Sequence, residues 1–214
     1  MRKIVFLIAL SILGFAQAHA QKFGFKGGYN YSSLNGEVAQ NNTLKGLNGF
    51  YVGALMEVLM GDVLALQPEI IYSRQGAAWE YEYDVLFLGK GVIKSDLRLD
   101  YLNIPVMAKV NLGPLFLQGG VQFGFLVNNP EISVSALGNR ISKELDKEAY
   151  AAFDFGIGAG LGIALSEHFF VEARYTHSLT NAFDPNNNSL KNLQISNKNN
   201  FKNAVLALGV GAKF

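Results

Sequence analysis

The sequence predicts an all-β fold: an eight-stranded antiparallel up-and-down transmembrane β-barrel with short periplasmic turns and long extracellular loops. Three observations support this prediction. Residues 153–165, FDFGIGAGLGIAL, alternate with a period of two, and seven other segments do the same. The connections between these segments are long and short in strict turn. After residue 20, no apolar run reaches the eighteen residues of a membrane-spanning helix.

The segment 153–165 distinguishes a lipid-facing wall from a soluble core. Its odd positions are all apolar, whereas its even positions are Asp154, four glycines and Ala164. A soluble core needs bulk on its inward face to fill space. If the bulky face contacts lipid instead, the glycines allow neighbouring inward side chains to share a narrow lumen. The pattern therefore predicts apolar side chains toward lipid and small or polar side chains in the lumen.

The start of the chain has the pattern of a secretory signal peptide. A basic MRK precedes the apolar stretch 4–16, and AHA forms a cleavage site before Gln21. We predict a signal peptide at residues 1–20, cut after Ala20, and one outer-membrane barrel domain at residues 21–214. Without the signal peptide the formal charge is about −1, which predicts no nucleic-acid partner. The absence of cysteine excludes disulfides and thiolate metal sites.

The first three strands are predicted at residues 22–33, 49–59 and 63–75, because each separates an apolar face from a polar or small one. In the first strand, phenylalanine and tyrosine alternate with glycine, lysine, asparagine and serine. In the third strand, leucine, proline and isoleucine alternate with glutamine, glutamate and serine. The inward charged residues of these strands are Lys26, Glu57 and Glu69.

The remaining strands follow the same rule. Their outward positions hold leucine, valine, phenylalanine and alanine, while their inward positions hold mainly glycine, asparagine, glutamine, threonine and charged residues. These strands are predicted at residues 96–110, 115–126, 153–165, 169–179 and 201–214. Their inward charged residues are Lys109, Asp154, Glu172, Arg174 and Lys213.

The connections between strands alternate strictly between long loops and tight turns. Long connections of about 15 to 24 residues alternate with tight turns, so all turns fall on one side of the membrane and all long loops on the other. Every backbone group of a spanning strand must be paired, and the first strand is therefore expected to meet the last. The long loops are residues 34–48, 76–95, 127–150 and 180–200.

The inward charged residues are predicted to form a structural polar network. Acids and bases are equal in number, so they can pair in the lumen, whereas a base on the lipid face would cost roughly 2–4 kcal/mol at the bilayer centre. Eight strands leave an interior that side chains fill, and a wide channel is not expected. Two roles stay open: ion pairs that hold the lumen shut, or a network that gates a narrow path. The predicted network is Lys26, Glu57, Glu69, Lys109, Asp154, Glu172 and Arg174.

Six stretches carry more than generic alternation. They are GFKGGYN at 24–30, LQPEIIYSRQG at 66–76, DYLNIPVMAKV at 100–110, FDFGIGAGLG at 153–162, EARYTHSLTN at 172–181 and LALGVGAKF at 206–214. In this order they resemble the PorT-like outer-membrane barrel family of Bacteroidetes. The resemblance implies an eight-stranded outer-membrane barrel, and Phe214 looks like the recognition signal for the barrel-assembly machinery. The family's namesake is implicated in protein secretion, so the resemblance implies that this protein works in or near an export system.

Motifs for catalysis and metal binding are incomplete. A lipid esterase would need a histidine beside a serine and an acid, but His177 and Ser178 are adjacent on a strand and point to opposite faces. Residues 184–189, DPNNNS, begin like a calcium loop, although Ser189 stands where glycine is needed and Ile195 where glutamate is needed. The sequence predicts no cofactor, no metal and no enzymatic activity.

Two external loops are candidate interaction surfaces. Trp79 and the tyrosines after it either continue the third strand as a hairpin with residues 92–99 or form an exposed ligand surface. Aromatic residues are common at the membrane interface, and this favours the hairpin. The charged loop 127–149 is the second candidate, and a short helix is one structure expected within it.

These observations predict a non-enzymatic integral outer-membrane barrel whose role is structural or interactive and is carried by its external loops. Protein export or surface assembly is the setting that the family resemblance suggests. The expected partners are outer-membrane lipid, the barrel-assembly machinery during insertion, and a protein bound through the extracellular loops. A narrow pore for small solutes and an outer-membrane lipid-modifying enzyme remain the alternatives.

Overall fold

The computed structural model describes residues 21–35, 43–85, 89–136, 139–145, 147, 150–183 and 201–214. The predicted signal peptide and the calcium-like motif lie outside the described residues. Within the described ranges, no helix has the length and hydrophobicity to cross a bilayer. The strands are β1 (Gln21–Asn35), β2 (Thr43–Met60), β3 (Leu64–Val85), β4 (Gly89–Leu112), β5 (Leu115–Leu126), β6 (Glu131–Ala136), β7 (Asn139–Glu144), β8 (Phe153–Ala164), β9 (Phe169–Ser178) and β10 (Lys202–Lys213).

Eight of these strands close into a ring. β1 pairs antiparallel with both β2 and β10, so Tyr29 lies opposite Phe50 on one side and Leu208 on the other. The ring continues through β9, β8, β5 and β4, and the pairing of β4 with β3 completes it. Closure satisfies the backbone groups that open sheet edges would leave unpaired in lipid. The predicted antiparallel eight-stranded barrel is confirmed, including the pairing of its first and last strands.

The two faces of the wall follow the predicted alternation. Ile157 and Leu161 are 49% and 56% exposed on the outer wall, whereas Glu69 and Lys109 are each 2% exposed in the lumen. Burying an unpaired charge is costly, and the lumen is where these ionic side chains find partners. The apolar wall is therefore the surface that contacts lipid.

The β3–β4 hairpin extends beyond the predicted strand ends. The sequence pattern predicts an end of the third strand at residue 75, but β3 reaches Val85 and pairs with β4 as far as Gly89. Trp79 lies opposite Ser95, so the hairpin interpretation of this loop is confirmed. Beyond the bilayer, water can satisfy backbone groups, and a two-stranded ribbon needs no further closure. The alternative of an exposed aromatic surface at Tyr81 and Tyr83 concerns side chains outside those described.

The expectation of a short helix in residues 127–149 is wrong for most of that loop. EISVSA and NRISKE form the β6–β7 hairpin, and β6 pairs with residues Lys94 to Arg98 of β4. β5 occupies the same edge of β4 only from Tyr101 onward. The extended part of β4 therefore presents unpaired backbone groups, which β6 satisfies.

Inward glycines provide room for large lumen side chains. A methyl group on Gly162 would overlap the ring of Phe116 and the carbonyl oxygen of Val171. Phe116 also packs edge-to-face against Phe170, with ring centroids 6.1 Å apart. The glycine face of the segment FDFGIGAGLGIAL thus allows aromatic rings to fill the narrow lumen.

We expect Gly162→Ala to lower the free energy of unfolding by about 1–3 kcal/mol, because overpacking forces ring and backbone shifts. Gly119→Ala is the matched control, since a methyl group there would come no nearer than 3.8 Å to the Gly158 carbonyl oxygen. Urea unfolding of both variants in liposomes measures the difference. Equal effects would contradict the proposed packing role of the inward glycines.

Candidate functional site

The middle of the lumen holds a four-residue ion cluster, here called the central cluster: Lys26, Glu69, Glu172 and Arg174. Glu69 accepts two hydrogen bonds of 2.7 Å from Arg174 and one of 2.9 Å from Lys26 Nζ. Glu172 accepts from Lys26 Nζ at 2.7 Å and from Gln118 at 3.0 Å. All four side chains are buried, and the two acids balance the two bases. Bidentate Arg–carboxylate pairs of this kind fix geometry as well as adding energy.

A second cluster lies nearer the tight turns and is called the lower cluster. Glu57 accepts from Lys109 Nζ at 2.6 Å and from Lys213 Nζ at 2.9 Å. Lys109 Nζ lies 3.9 Å from the centroid of the Phe116 ring, and Phe170 lies beside it. A cation over an aromatic face is attracted electrostatically, more strongly when it is desolvated. The two rings therefore add a favourable electrostatic contact to the buried ammonium group of Lys109.

Asp154 is buried, as predicted for an inward residue, but it lies apart from both ion clusters and has its own hydrogen-bond partners. Its carboxylate accepts from Ser178 at 2.6 Å and from Thr180 at 2.8 Å near the outer end of the barrel. Arg174 lies opposite Gly160, six residues along β8 from Asp154. At about 3.3 Å per residue this separation is roughly 20 Å, too far for an ion pair. Alternation predicts the inward face but not the height in the barrel.

The outer end of the lumen holds an apolar cluster, here called the outer cap. Phe183 packs between Tyr150 and Phe201, tilted against the first ring and edge-to-face against the second, with centroids 5.2 and 5.4 Å away. No pattern in the sequence predicts this cluster, because Tyr150 and Phe183 lie in long loops without alternation. Its buried members are Leu34, Ala77, Leu97, Leu99, Tyr101, Leu126, Tyr150, Ala182 and Phe201, and Trp79, Leu145 and Phe183 pack against them.

Between the central cluster and the outer cap lies a cavity of about 30 Å³. Tyr51, Ser73 and Gln75 line it together with Lys26 and Arg174. A cavity needs roughly 10–15 Å³ to hold one water, so this space accommodates about two. In the described part of the chain, the lumen is thus filled at three levels by the lower cluster, the central cluster and the outer cap.

His177 and Ser178 do not meet as a base and a nucleophile. Ser178 is buried in the lumen and donates to Asp154, while His177 occupies an outward position of β9. Among the described residues, no group of three or more His, Cys, Asp or Glu side chains is arranged to hold a metal ion. The geometry separates the groups that a serine esterase would need within hydrogen-bond reach.

Comparison with solved structures finds outer-membrane barrels. Neisserial surface protein A is 13% identical, with 90% of this chain and 97% of that chain covered and a TM-score of 0.50. Ail of Yersinia pestis is 17% identical over 90% and 98%, with a TM-score of 0.45. OprG of Pseudomonas aeruginosa is 14% identical over 91% and 96%, with a TM-score of 0.40. At these identities the similarity concerns the fold alone. No curated protein matches the chain.

The sequence also matches a family model. The model for the outer membrane protein beta-barrel domain aligns with residues 15–184, which is well over half of the chain. That segment includes β1 to β9 and therefore most of the ring. The chain accordingly belongs to the outer membrane protein beta-barrel domain family, and it is an eight-stranded barrel of the outer membrane.

Proposed function

We propose that this protein is a non-enzymatic outer-membrane barrel with a closed lumen, which anchors its extracellular strands as an interaction platform. The observation that supports this proposal is the filling of the lumen at three levels. Ion pairs occupy two of these levels and the apolar outer cap occupies the third. Buried ion pairs with several contacts rigidify a barrel interior, and Glu69 and Glu57 each accept hydrogen bonds from two bases.

The extracellular part of the protein is larger than loops alone would make it. β3 and β4 continue as a paired ribbon past Trp79, and the β6–β7 hairpin extends that ribbon sideways. All six residues of β7 are exposed. A rigid scaffold with an exposed sheet at its outer end suits recognition of a partner at the cell surface.

The finer assignment rests on the resemblance to PorT-like barrels of Bacteroidetes. As part of the proposal, the protein partner belongs to an export or surface-assembly system. The chain is exported by a signal peptide at residues 1–20 cut after Ala20, and Phe214 is recognised by the barrel-assembly machinery. The proposed structural role of Lys26, Glu57, Glu69, Lys109, Glu172 and Arg174 is to hold the lumen shut, while Asp154 ties the outer ends of β8 and β9 together.

We expect the purified protein to show no discrete conductance steps in planar bilayers, because buried side chains occupy the lumen at each level. A wide porin recorded under the same conditions is the positive control. Steps of uniform size in preparations of the intact protein would favour the narrow-pore alternative and contradict the closed lumen.

Replacing residues 80–94 of the β3–β4 hairpin by a short turn is expected to leave the barrel folded but to abolish cross-links to a surface partner in cells. The outer cap retains Ala77, Leu97 and Leu99 in this variant. A gel shift between unheated and boiled samples verifies the fold. A matched variant that shortens the β6–β7 hairpin tests whether the partner binds that element instead. Unchanged cross-links in both variants would contradict the platform role.

A further inference from the structure

A polar cleft of about 290 Å³ lies on the outer wall where β5 leaves β4 and β6 joins it. We call it the outer-wall cleft. The crossing segment bridges this gap, and the Val127 backbone N–H donates to the Asp100 carbonyl at 2.9 Å. The cleft is lined by Arg74, Arg98, Asp100, Asn128, Asn129, Glu131 and Glu144.

The floor of the outer-wall cleft is a preorganised polar site. The Asp100 side chain accepts from Arg74 Nε at 3.0 Å and from Asn128 Nδ2 at 3.0 Å, and the residue is only 8% exposed. A carboxylate buried to this extent and fixed by two donors keeps one orientation. The cleft therefore presents preorganised acceptor oxygens beside two asparagine side chains.

The rim of the cleft is accessible. Arg98 Nη1 and Glu131 Oε1 are 4.0 Å apart, and their side chains are 30% and 37% exposed. This distance exceeds that of a hydrogen bond, so a ligand hydroxyl can engage either group without breaking one between them. A hydrogen bond from Ser142, supported by Ser133 and by nearby Arg98 and Arg140, lowers the pKa of Glu131. Glu131 is thus an ionised acceptor at neutral pH.

The charge of the cleft restricts the ligand class. Two guanidinium groups face three carboxylates, because Glu144 also lines the cleft. A phosphate would meet the carboxylates, and a cation would meet the guanidinium groups. An uncharged polyhydroxyl ligand avoids both penalties, since each hydroxyl both donates and accepts. The volume lies at the lower end of the range for small-molecule sites, which suits one or two sugar rings.

The position of the cleft agrees with this chemistry. Tyr72 and Phe50 lie just below it on the outer wall with ring centroids 6.0 Å apart, and the Arg74 guanidinium lies 5.4 Å from the Phe50 ring. Tyrosine is enriched at the boundary between lipid and water, so the position of Tyr72 supports placing the cleft near that boundary. We propose that the outer-wall cleft binds an uncharged sugar residue at the outer membrane surface. This site lies outside the lumen and does not depend on whether the lumen conducts.

The test is glycan binding by the full protein in detergent. Labelled protein is applied to an array of neutral hexose and hexosamine oligosaccharides and their phosphorylated counterparts. Saturable binding to neutral glycans is expected. Binding restricted to phosphorylated glycans, or binding to none, would overturn the proposal.

Matched variants assign the binding to the cleft. Asn129→Ala and Arg98→Gln are expected to weaken binding of the best neutral glycan by about tenfold each, the equivalent of one lost hydrogen bond. Asn139→Ala and Lys94→Gln are the controls, since Asn139 is the first residue of β7 and Lys94 pairs with Glu80, and neither residue lines the cleft. The gel shift on boiling confirms that all four variants fold. Equal weakening by the cleft variants and the controls would refute the assignment.

A final comparison identifies the source of the sugar. The same glycan is presented free in solution and linked to lipid A in the micelle. Tighter binding of the lipid-linked form supports a membrane glycolipid, and equal binding supports a free glycan. Binding of lipid A without the glycan would overturn the proposal, because it would show recognition of the phosphates or acyl chains.

Discussion

Glu69→Ala is expected to lower the free energy of unfolding by about 3–5 kcal/mol, because it leaves buried Lys26 and Arg174 with a single acid between them. Glu69 accepts hydrogen bonds from both bases, and its side chain is fully buried. Urea unfolding in liposomes measures this loss. Glu80→Ala is the control, since Glu80 pairs with Lys45 in an exposed ion pair outside the membrane. Exposed pairs contribute little, and little change is expected there.

A double replacement separates lost charge balance from lost packing. Glu69→Leu together with Arg174→Met leaves Lys26 and Glu172 as one pair, which are 2.7 Å apart. Replacing a buried pair by apolar residues of similar volume is often neutral or stabilising. We therefore expect the double variant to be more stable than Glu69→Ala. A double variant as unstable as the single one would show that the ion pairs are not the main contribution of the central cluster.

Ile157→Arg is expected to make folding into liposomes less favourable by about 2–4 kcal/mol, because it places a cation on the lipid-facing wall near the middle of β8. Ile141→Arg is the matched control. Ile141 is 73% exposed on β7, outside the ring, where water solvates the charge. Both changes replace an exposed isoleucine, so exposure alone predicts similar effects. The expected difference in stability arises because lipid surrounds Ile157 whereas water surrounds Ile141.

The gel shift on boiling and the fraction of protein inserted into liposomes report the Ile157→Arg effect. A small and equal effect of the two substitutions would mean that water covers the outer wall of β8. That result would contradict the assignment of the apolar face to lipid, and with it the membrane location of the ring.

The proposed closed lumen and the proposed ligand site in the outer-wall cleft belong to different parts of the barrel. The central and lower clusters hold strands that are distant in sequence, as in the contact of Arg174 with Glu69, 105 residues away. The extended β4 carries both the wall of the membrane-spanning ring and the edge to which β6 adds. A rigid ring thereby holds the crossing segment, and the cleft side chains on it, at a constant height above the lipid boundary.

Local alternation was sufficient to predict the ring. Ile157 and Leu161 face outward and Glu69 and Lys109 inward, as a period of two requires of any strand with one lipid-facing side. The tight turns and long loops predicted an even number of antiparallel strands, and the need to pair every backbone group predicted the contact of β1 with β10. The limits of β5 agree with the prediction because turn residues lie at both ends.

The sequence by itself determined the strands, their two faces and the closure, because side-chain direction in a strand depends only on neighbouring residues. Tertiary structure alone decided which ions meet, since Asp154 and Arg174 share a face but differ in height. It also decided that Tyr150, Phe183 and Phe201 form the outer cap and that β6 extends β4 beside the cleft. These contacts depend on register between strands and on loops that return to the barrel mouth, which no local pattern encodes.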